Sequence, residues 1–197
     1  MKRLFLLNFF FISMGLSGIS QDLEAEDDKK KKNTGVFQNS ESKNGGTLEE
    51  FGRLFFESLK FDRPEILQNL AFTVATMEAT VEAKTTNSEV KEEILKELNR
   101  DREGLDKKMQ NGMRMSYVSL KKQEYSEIKI DWSQISYSDF KFEENEKRTT
   151  ASEFRFGVGY LHFTFDETEY RIEMGRMAEL LVGWRANDLE PSATLVN

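Results

Sequence analysis

The chain of 197 residues contains no cysteine, one histidine and two prolines. Without thiols there is no disulfide framework, no cysteine nucleophile and no thiolate zinc site. A lone imidazole excludes His-rich metal sites and most Ser–His relays within one chain. The Gly-x-Ser-x-Gly elbow and the zinc-protease helix motif are also missing, so hydrolase chemistry has no positive support. The 35 acidic residues outnumber the 28 basic ones, giving −7. That balance opposes a phosphate backbone, and nucleic acid is not an expected partner.

Long hydrophobic runs are scarce too. The one apolar stretch, Leu4 to Ile12 with Met14 and Leu16 behind it, is interrupted by Asn8 and Ser13. It falls short of the ~20 apolar residues a spanning helix needs. Lys2 and Arg3 precede it and Ser17, Gly18 and Ser20 follow. This is the pattern of a secretory signal peptide over residues 1–20, with Gln21 as the mature N-terminus. The expectation is an exported protein, periplasmic or secreted, with no stable membrane insertion after cleavage. No cysteine follows the run, so no lipid of the bacterial lipoprotein kind can be attached. Cleavage removes Lys2 and Arg3 and takes the net charge from −7 to −9.

Residues 21–46 hold almost nothing apolar: Glu24, Glu26, Asp27 and Asp28 precede Lys29 to Lys32, and then come Asn, Ser, Gly and Thr. Such a stretch cannot offset its ordering entropy by burial and reads as a disordered linker. The four lysines could touch anionic lipid, but the four acids upstream cancel most of their field. The folded part is then a single domain over residues 47–191, with a tail at 192–197.

Within the domain, Thr47 and Glu50 form a capping box, and Leu48, Phe51, Leu54, Phe55 and Leu59 recur at helical spacing, predicting a helix over 48–60. Asp62 and Pro64 start a second, short helix around a tight corner, burying Ile66, Leu67 and Leu70. Residues 72–86 show no period. From Ser88 to Leu120 a single apolar stripe (Val90, Ile94, Leu98, Leu105, Met109, Met113, Tyr117, Leu120) predicts one long helix. A kink or break is expected at Gly104 or Asn111–Gly112.

After Tyr125 the period becomes two. Ile128, Ile130 and Trp132 predict a strand, and Phe140 and Phe142 predict another. Between Glu153 and Asp166 the apolar positions change parity near Tyr160, which a β-bulge in this strand would explain; the alternative is a strand covered on both faces. Asp166, Glu167 and Thr168 make a hairpin turn to a partner strand with Tyr170, Ile172 and Met174. A last strand over Leu181–Leu189 carries Trp184, and Pro191 ends regular structure. Helices first and an antiparallel meander second is an α+β arrangement.

That order of elements, with Ile130-Asp131-Trp132-Ser133 leading to Tyr137-Ser138-Asp139-Phe140 and a long hairpin, resembles the NTF2-like (cystatin-like α+β) superfamily over roughly residues 47–190. It is most similar to small exported proteins of Bacteroidetes-type bacteria. The resemblance implies N-terminal helices packed on a curved antiparallel sheet, a cone that can enclose a pocket. Its members include isomerases, dehydratases, transport factors and non-catalytic binders. Enzymes of the ketosteroid isomerase kind need an Asp base and a Tyr or protonated acid in an apolar cavity. Asp139, Tyr137, Tyr160 and Tyr170 are of suitable type, but none aligns to that motif and no catalytic residue is assigned.

The remaining candidates each have a plainer reading. His162 and Asp166 lie about 13 Å apart on an extended strand, too far for a base and its orienting acid. A cross-strand or solvent-facing histidine, near Glu173 or Arg171, is the better reading. Gly157-x-Gly159 lies within a strand and bends the sheet rather than cradling phosphate. Glu143, Glu144 and Glu146 lack the loop glycine of an EF-hand and are followed by Lys147 and Arg148, which marks a solvated turn. Methionines on the helical stripe fill the core.

Trp184, Tyr160 and Tyr170 near Arg185 and Arg171 are the candidate ligand-binding set, suited to an apolar or aromatic molecule bearing a carboxylate. No cofactor and no metal is called for. The function expected is that of an exported, non-catalytic domain binding a small ligand or an envelope protein through its concave sheet or its long helix. An isomerase- or dehydratase-like enzyme using a pocket carboxylate, and a structural homodimer burying an outer sheet face, are the rivals.

Overall fold

The first helix, α1 (Leu48–Lys60), begins where Thr47 accepts the Glu50 N–H at 3.1 Å, with Glu49 and Glu50 in its first turn. Both features offset unpaired amides at a helix N-terminus. Its far end is closed by other elements. The Arg63 N–H and the Tyr117 hydroxyl both donate to the Ser58 carbonyl, at 2.9 and 2.8 Å, and Lys121 donates to the Leu59 carbonyl at 2.9 Å. The chain then turns at Asp62, φ 53°, and Pro64 opens α2 (Pro64–Leu70). This is the tight corner the sequence predicts. The structure, a computed structural model, describes residues 46–123, 128–146, 154–190 and 192–196. The leader and all but the last residue of the linker lie outside these, as do Tyr125, Lys147, Arg148 and Pro191.

Residues 72–86, which show no period, hold α3 (Val74–Lys84). Its start is capped reciprocally by Thr73 and Thr76, and the Val74 N–H reaches Asp106 at 2.7 Å. Val74, Met77, Thr80 and Val81 are all buried, and one of these, Thr80, is polar, which interrupts the apolar pattern. The single long helix expected next is two: α4 (Ser88–Arg100) and α5 (Arg102–Lys122). The break falls at Asp101, whose carboxylate accepts the Gly104 N–H at 3.2 Å and caps α5. A Cβ on Gly104 would sit 2.3 Å from that carboxylate, so the glycine makes room for the cap. Asn111 and Gly112 continue the helix unbroken.

Ile128–Trp132 is not a strand. Gln123 holds Ile130 at both backbone groups, donating to its carbonyl at 2.5 Å and accepting from its N–H at 2.7 Å, and Trp132–Gln134 forms a 3₁₀ turn capped by Asp131. Ile130 and Trp132 are nevertheless buried. One-sided burial of an extended connection produces the same alternation as a ladder.

The sheet is antiparallel throughout: β1 (Ser136–Glu144), β2 (Phe156–Phe165), β3 (Thr168–Leu180) and β4 (Gly183–Arg185) in that order, with β5 (Thr194–Leu195) also on β3. Asp166 and Glu167, both at positive φ, make the two-residue turn between β2 and β3. The expected strand over 181–189 shrinks to three residues because Ala186 leaves the sheet to bridge Ala71. The chain beyond Pro191 returns to pair Leu195 with Tyr170 and Thr194 with Arg171.

The bulge expected in β2 sits instead on its neighbours. The register slips between Tyr137 and Asp139 in β1, and on β3 between Met174 and Met177, where Arg176 has φ 53°. β2 itself runs regularly and is covered on both faces in part, as the alternative reading had it. Phe156, paired with Ala178, is buried on one side, while Leu161 and Phe163 are buried on the other.

The core lies on the concave side, where Phe51, Phe55 and Leu59 of α1 and Met113 of α5 meet Leu161, Phe163, Ile172 and Met174. Gly52 brings α1 against β1, since a Cβ there would lie 2.3 Å from that of Phe140. The sheet is strongly curved. β1 and β4 are three strand spacings apart, about 14 Å in a flat sheet, yet the rings of Phe142 and Trp184 meet at 4.5 Å. Gly157 and Gly159 permit this: their Cβ atoms would strike Phe142 at 2.7 Å and Met177 at 2.2 Å. The architecture is therefore α+β, with N-terminal helices packed on a curved antiparallel half-barrel in the manner of the NTF2-like cone.

Candidate functional site

Cross-strand partners share a face and neighbours along a strand alternate, so the register sorts the five candidate ligand-binding residues. Tyr170, paired with Phe163, and Trp184, paired with Glu179, point to the concave side. Both are buried: Tyr170 stacks on Phe163 at 5.8 Å, and Trp184 meets Phe142 edge-on. Arg185, paired with Ala178, lies on the opposite side of the sheet from Trp184 and is also buried, one nitrogen donating to the Trp184 carbonyl at 2.6 Å. Burial pushes its guanidinium below the usual arginine range. Tyr160 and Arg171 lie on the convex face, the guanidinium 5.2 Å from the ring centroid. The five residues thus divide between the two faces, and only Tyr160 and Arg171 lie together at the surface.

The concave space where a cone would hold a ligand is occupied by the protein's own side chains. Phe51, Phe55, Phe163, Met174 and Met177 are fully buried there. Arg155 closes the rim, with its guanidinium 5.5 Å from the Phe142 ring and 5.3 Å from the Trp184 ring and ion pairs to Glu144 and Glu179 at 2.9 and 3.5 Å. That commits Glu144 to an arginine, and Glu143 accepts the Tyr160 hydroxyl at 3.4 Å, so the carboxylates of this turn are used by the fold.

The convex face is polar around His162, while at its other end Phe156 and Ala178 are buried. His162 sits at its centre beside Asp139 of β1 and Arg171 of β3. The histidine does face away from the core, but its side chain is only 7% exposed. Its Nδ1 lies 3.5 Å from a Glu169 oxygen and 4.0 Å from Asp139 Oδ1. The carboxylates nearest to it are therefore Glu169 and Asp139 rather than Glu173. Sequence reasoning missed this pairing because the slip at Tyr137/Asp139 decides which acid stands opposite the histidine. The same slip puts Asp139 on the convex face and Tyr137 on the concave one. There Tyr137 packs edge-on against Phe56 at 5.4 Å with Arg53 over its ring. Asp139 and Tyr137 are thus on opposite sides of the sheet, and the tyrosine that shares the face of Asp139 is Tyr160, outside the concave core. Burial raises the Tyr160 hydroxyl above the usual range, and Glu173 and Glu143 add to it; burial also raises Tyr137. Among the described residues no group of three or more His, Asp or Glu side chains could hold a metal ion, and no helix is long and apolar enough to cross a membrane.

A recess does exist along the long helix. Between α2 and α5 lies a cleft of about 310 Å³, with Leu67, Ala71 and Met113 as its apolar floor and Glu65, Gln68, Gln110 and Arg114 around it. The size is at the lower end of small-molecule sites. The helical stripe holds Met113, but the cleft depends on how α2 docks on α5, which no spacing reveals.

Comparisons with known proteins give little more. No protein family matches the chain, and no curated protein matches it in sequence. A cystatin-like protein from Ruminococcus gnavus ATCC 29149 superposes on it with a TM-score of 0.47 and 11% identity, over 76% of this chain and 45% of that one. The chain therefore spans less than half of that protein's length.

Proposed function

We propose that this chain is an exported, non-catalytic binding module of the NTF2-like kind. Its binding recess is the cleft between α2 and α5, which takes a small ligand. The observation that carries this reading is the occupied concave face: aromatic and methionine side chains fill the space that would enclose a ligand, which leaves binding to the outside. The cleft supplies an apolar floor with one carboxylate, one guanidinium and two carboxamides around it. Such a lining suits a compact molecule with both apolar and polar ends. Export rests on the leader at residues 1–20.

Native mass spectrometry of the chain recovered after export tests the ligand. The expected result is one retained small molecule, lost when Gln110→Trp fills the cleft. A bare polypeptide, or an adduct indifferent to Gln110→Trp, overturns the assignment. Residues 1–21 fused to a reporter active only outside the cytoplasm test export, with Leu7→Arg expected to abolish the signal.

A further inference from the structure

The two edges of the sheet are treated differently. The free side of β3 is covered along its length: β4 pairs with one end, the Glu190 N–H bonds the Glu173 carbonyl at 2.9 Å, β5 pairs with the other end, and the Val196 N–H bonds the Glu169 carbonyl at 3.1 Å. β1, nine residues long, has no strand on its outer side among the described residues. An uncovered edge of this length is a template for another strand.

The composition of β1 identifies which strand fits. Lys141 and Glu143 are exposed and lie on the convex face, opposite Tyr160 and Val158. Phe142 lies between them and faces the other way, opposite Gly159. The Asn145 N–H bonds the Phe156 carbonyl, and the alternation of an antiparallel ladder then turns the backbone groups of Phe142 outward. A two-fold axis through Phe142 would pair these outward groups with their own copies. The same axis sets Lys141 of one chain opposite Glu143 of the other, twice. Shifting the axis by one residue, to Lys141, would place lysine against lysine and Asp139 against Glu143. An axis at Phe140 would set Asp139 opposite Lys141, but it would lay the irregular stretch between Tyr137 and Asp139 against Phe142 and Glu143 of the other copy, whereas the axis at Phe142 keeps both ion pairs within the regular ladder from Asp139 to Glu144.

We infer that the outer edge of β1 is a self-association site, joining a second copy of this chain antiparallel about Phe142 into one continuous sheet. An edge contact buries less area than a standard interface, so the dimer is weak and concentration-dependent. It uses the edge of the sheet rather than its convex face, which is charged, and it does not depend on the cleft.

Sedimentation equilibrium of the full chain from micromolar to near-millimolar concentration reads the association. The expected result is a reversible monomer–dimer equilibrium, weakened about tenfold by Lys141→Glu or by Glu143→Lys. The double variant Lys141→Glu/Glu143→Lys restores it, because the swapped charges again face their opposites. Both side chains are exposed, and circular dichroism checks that each variant keeps its fold. A monomer throughout the range, a dimer indifferent to either single reversal, or a double variant no tighter than the singles overturns the inference. Ligand retention measured at the cleft is expected to be the same in all of these variants, so failure of one assignment is distinguishable from failure of the other.

Discussion

The two faces of β2 carry the same strand in two different environments. Toward the helices stand Gly157, Gly159, Leu161 and Phe163, with two glycines where the sheet bends most and two large side chains where α1 and the β3 hairpin close in. Toward the outside stand Val158, Tyr160, His162 and Thr164, bordered by Asp139, Lys141, Glu169 and Arg171. The inner face determines shape: its large side chains are fully buried against α1 and β3. The outer face is free to carry charge, because its cross-strand pairs are half solvated and each contributes little to stability. The interior of the curved sheet is occupied by buried side chains of the protein itself.

This contrast can be broken experimentally. The largest effect is expected from Phe163→Ala, which removes a fully buried ring that touches both Trp132 and Tyr170. Chemical denaturation should show a loss of about 3–5 kcal/mol. A loss below about 1 kcal/mol would mean that the concave side is loosely packed and can admit a ligand after all. Gly159→Ala comes next, since its methyl group would meet Met177 and Phe140, both flexible side chains able to give way in part. The expected cost is about 1–3 kcal/mol, accompanied by a change in near-ultraviolet circular dichroism as the rings of Phe142 and Trp184 move apart.

Tyr117→Phe tests the helix corner rather than the sheet. The Ser58 carbonyl keeps its bond from the Arg63 N–H, so the loss should be about 1 kcal/mol. Smallest of all is Arg171→Ala on the outer face, where the guanidinium lies over Tyr160. Denaturation should shift by about 0.5–1 kcal/mol or less. A loss as large as that of Phe163→Ala would show that the convex face is part of the core and would remove the distinction between the two sides.

Much of the helical half is legible from residue spacing. Thr47, Glu50 and the stripe from Leu48 to Leu59 specify α1 to its ends, because capping and amphipathicity are local properties. The turn at Asp166–Glu167 is equally local. α3 is not legible, since its buried positions include Thr80, whose hydroxyl bonds the Thr76 carbonyl and accepts from Leu181 more than a hundred positions away. The spacing around Trp132 predicts a strand because burial on one side looks alike in a ladder and in a 3₁₀ turn. The ligand-binding set was grouped from nearness in sequence and side-chain chemistry. Alternation along β3 and β4 divides it, sending Tyr170 and Trp184 inward while Arg171 and Arg185, the next residues, go outward.

The amino-acid sequence by itself determined α1, the tight corner into α2, the β2–β3 hairpin, the absence of thiol and His-rich chemistry, the acidic balance and the glycines on which the sheet bends. These depend on residue type and on spacing of a few positions, which the chain carries wherever it goes. Only the tertiary structure decided that Asp139 faces His162, that large side chains are buried on the concave side, that a cleft opens beside Met113 and that one sheet edge is covered while β1 has no strand on its outer side among the described residues. Each of these depends on how distant segments register against one another, and a shift of one residue in a strand exchanges every side chain between the two faces.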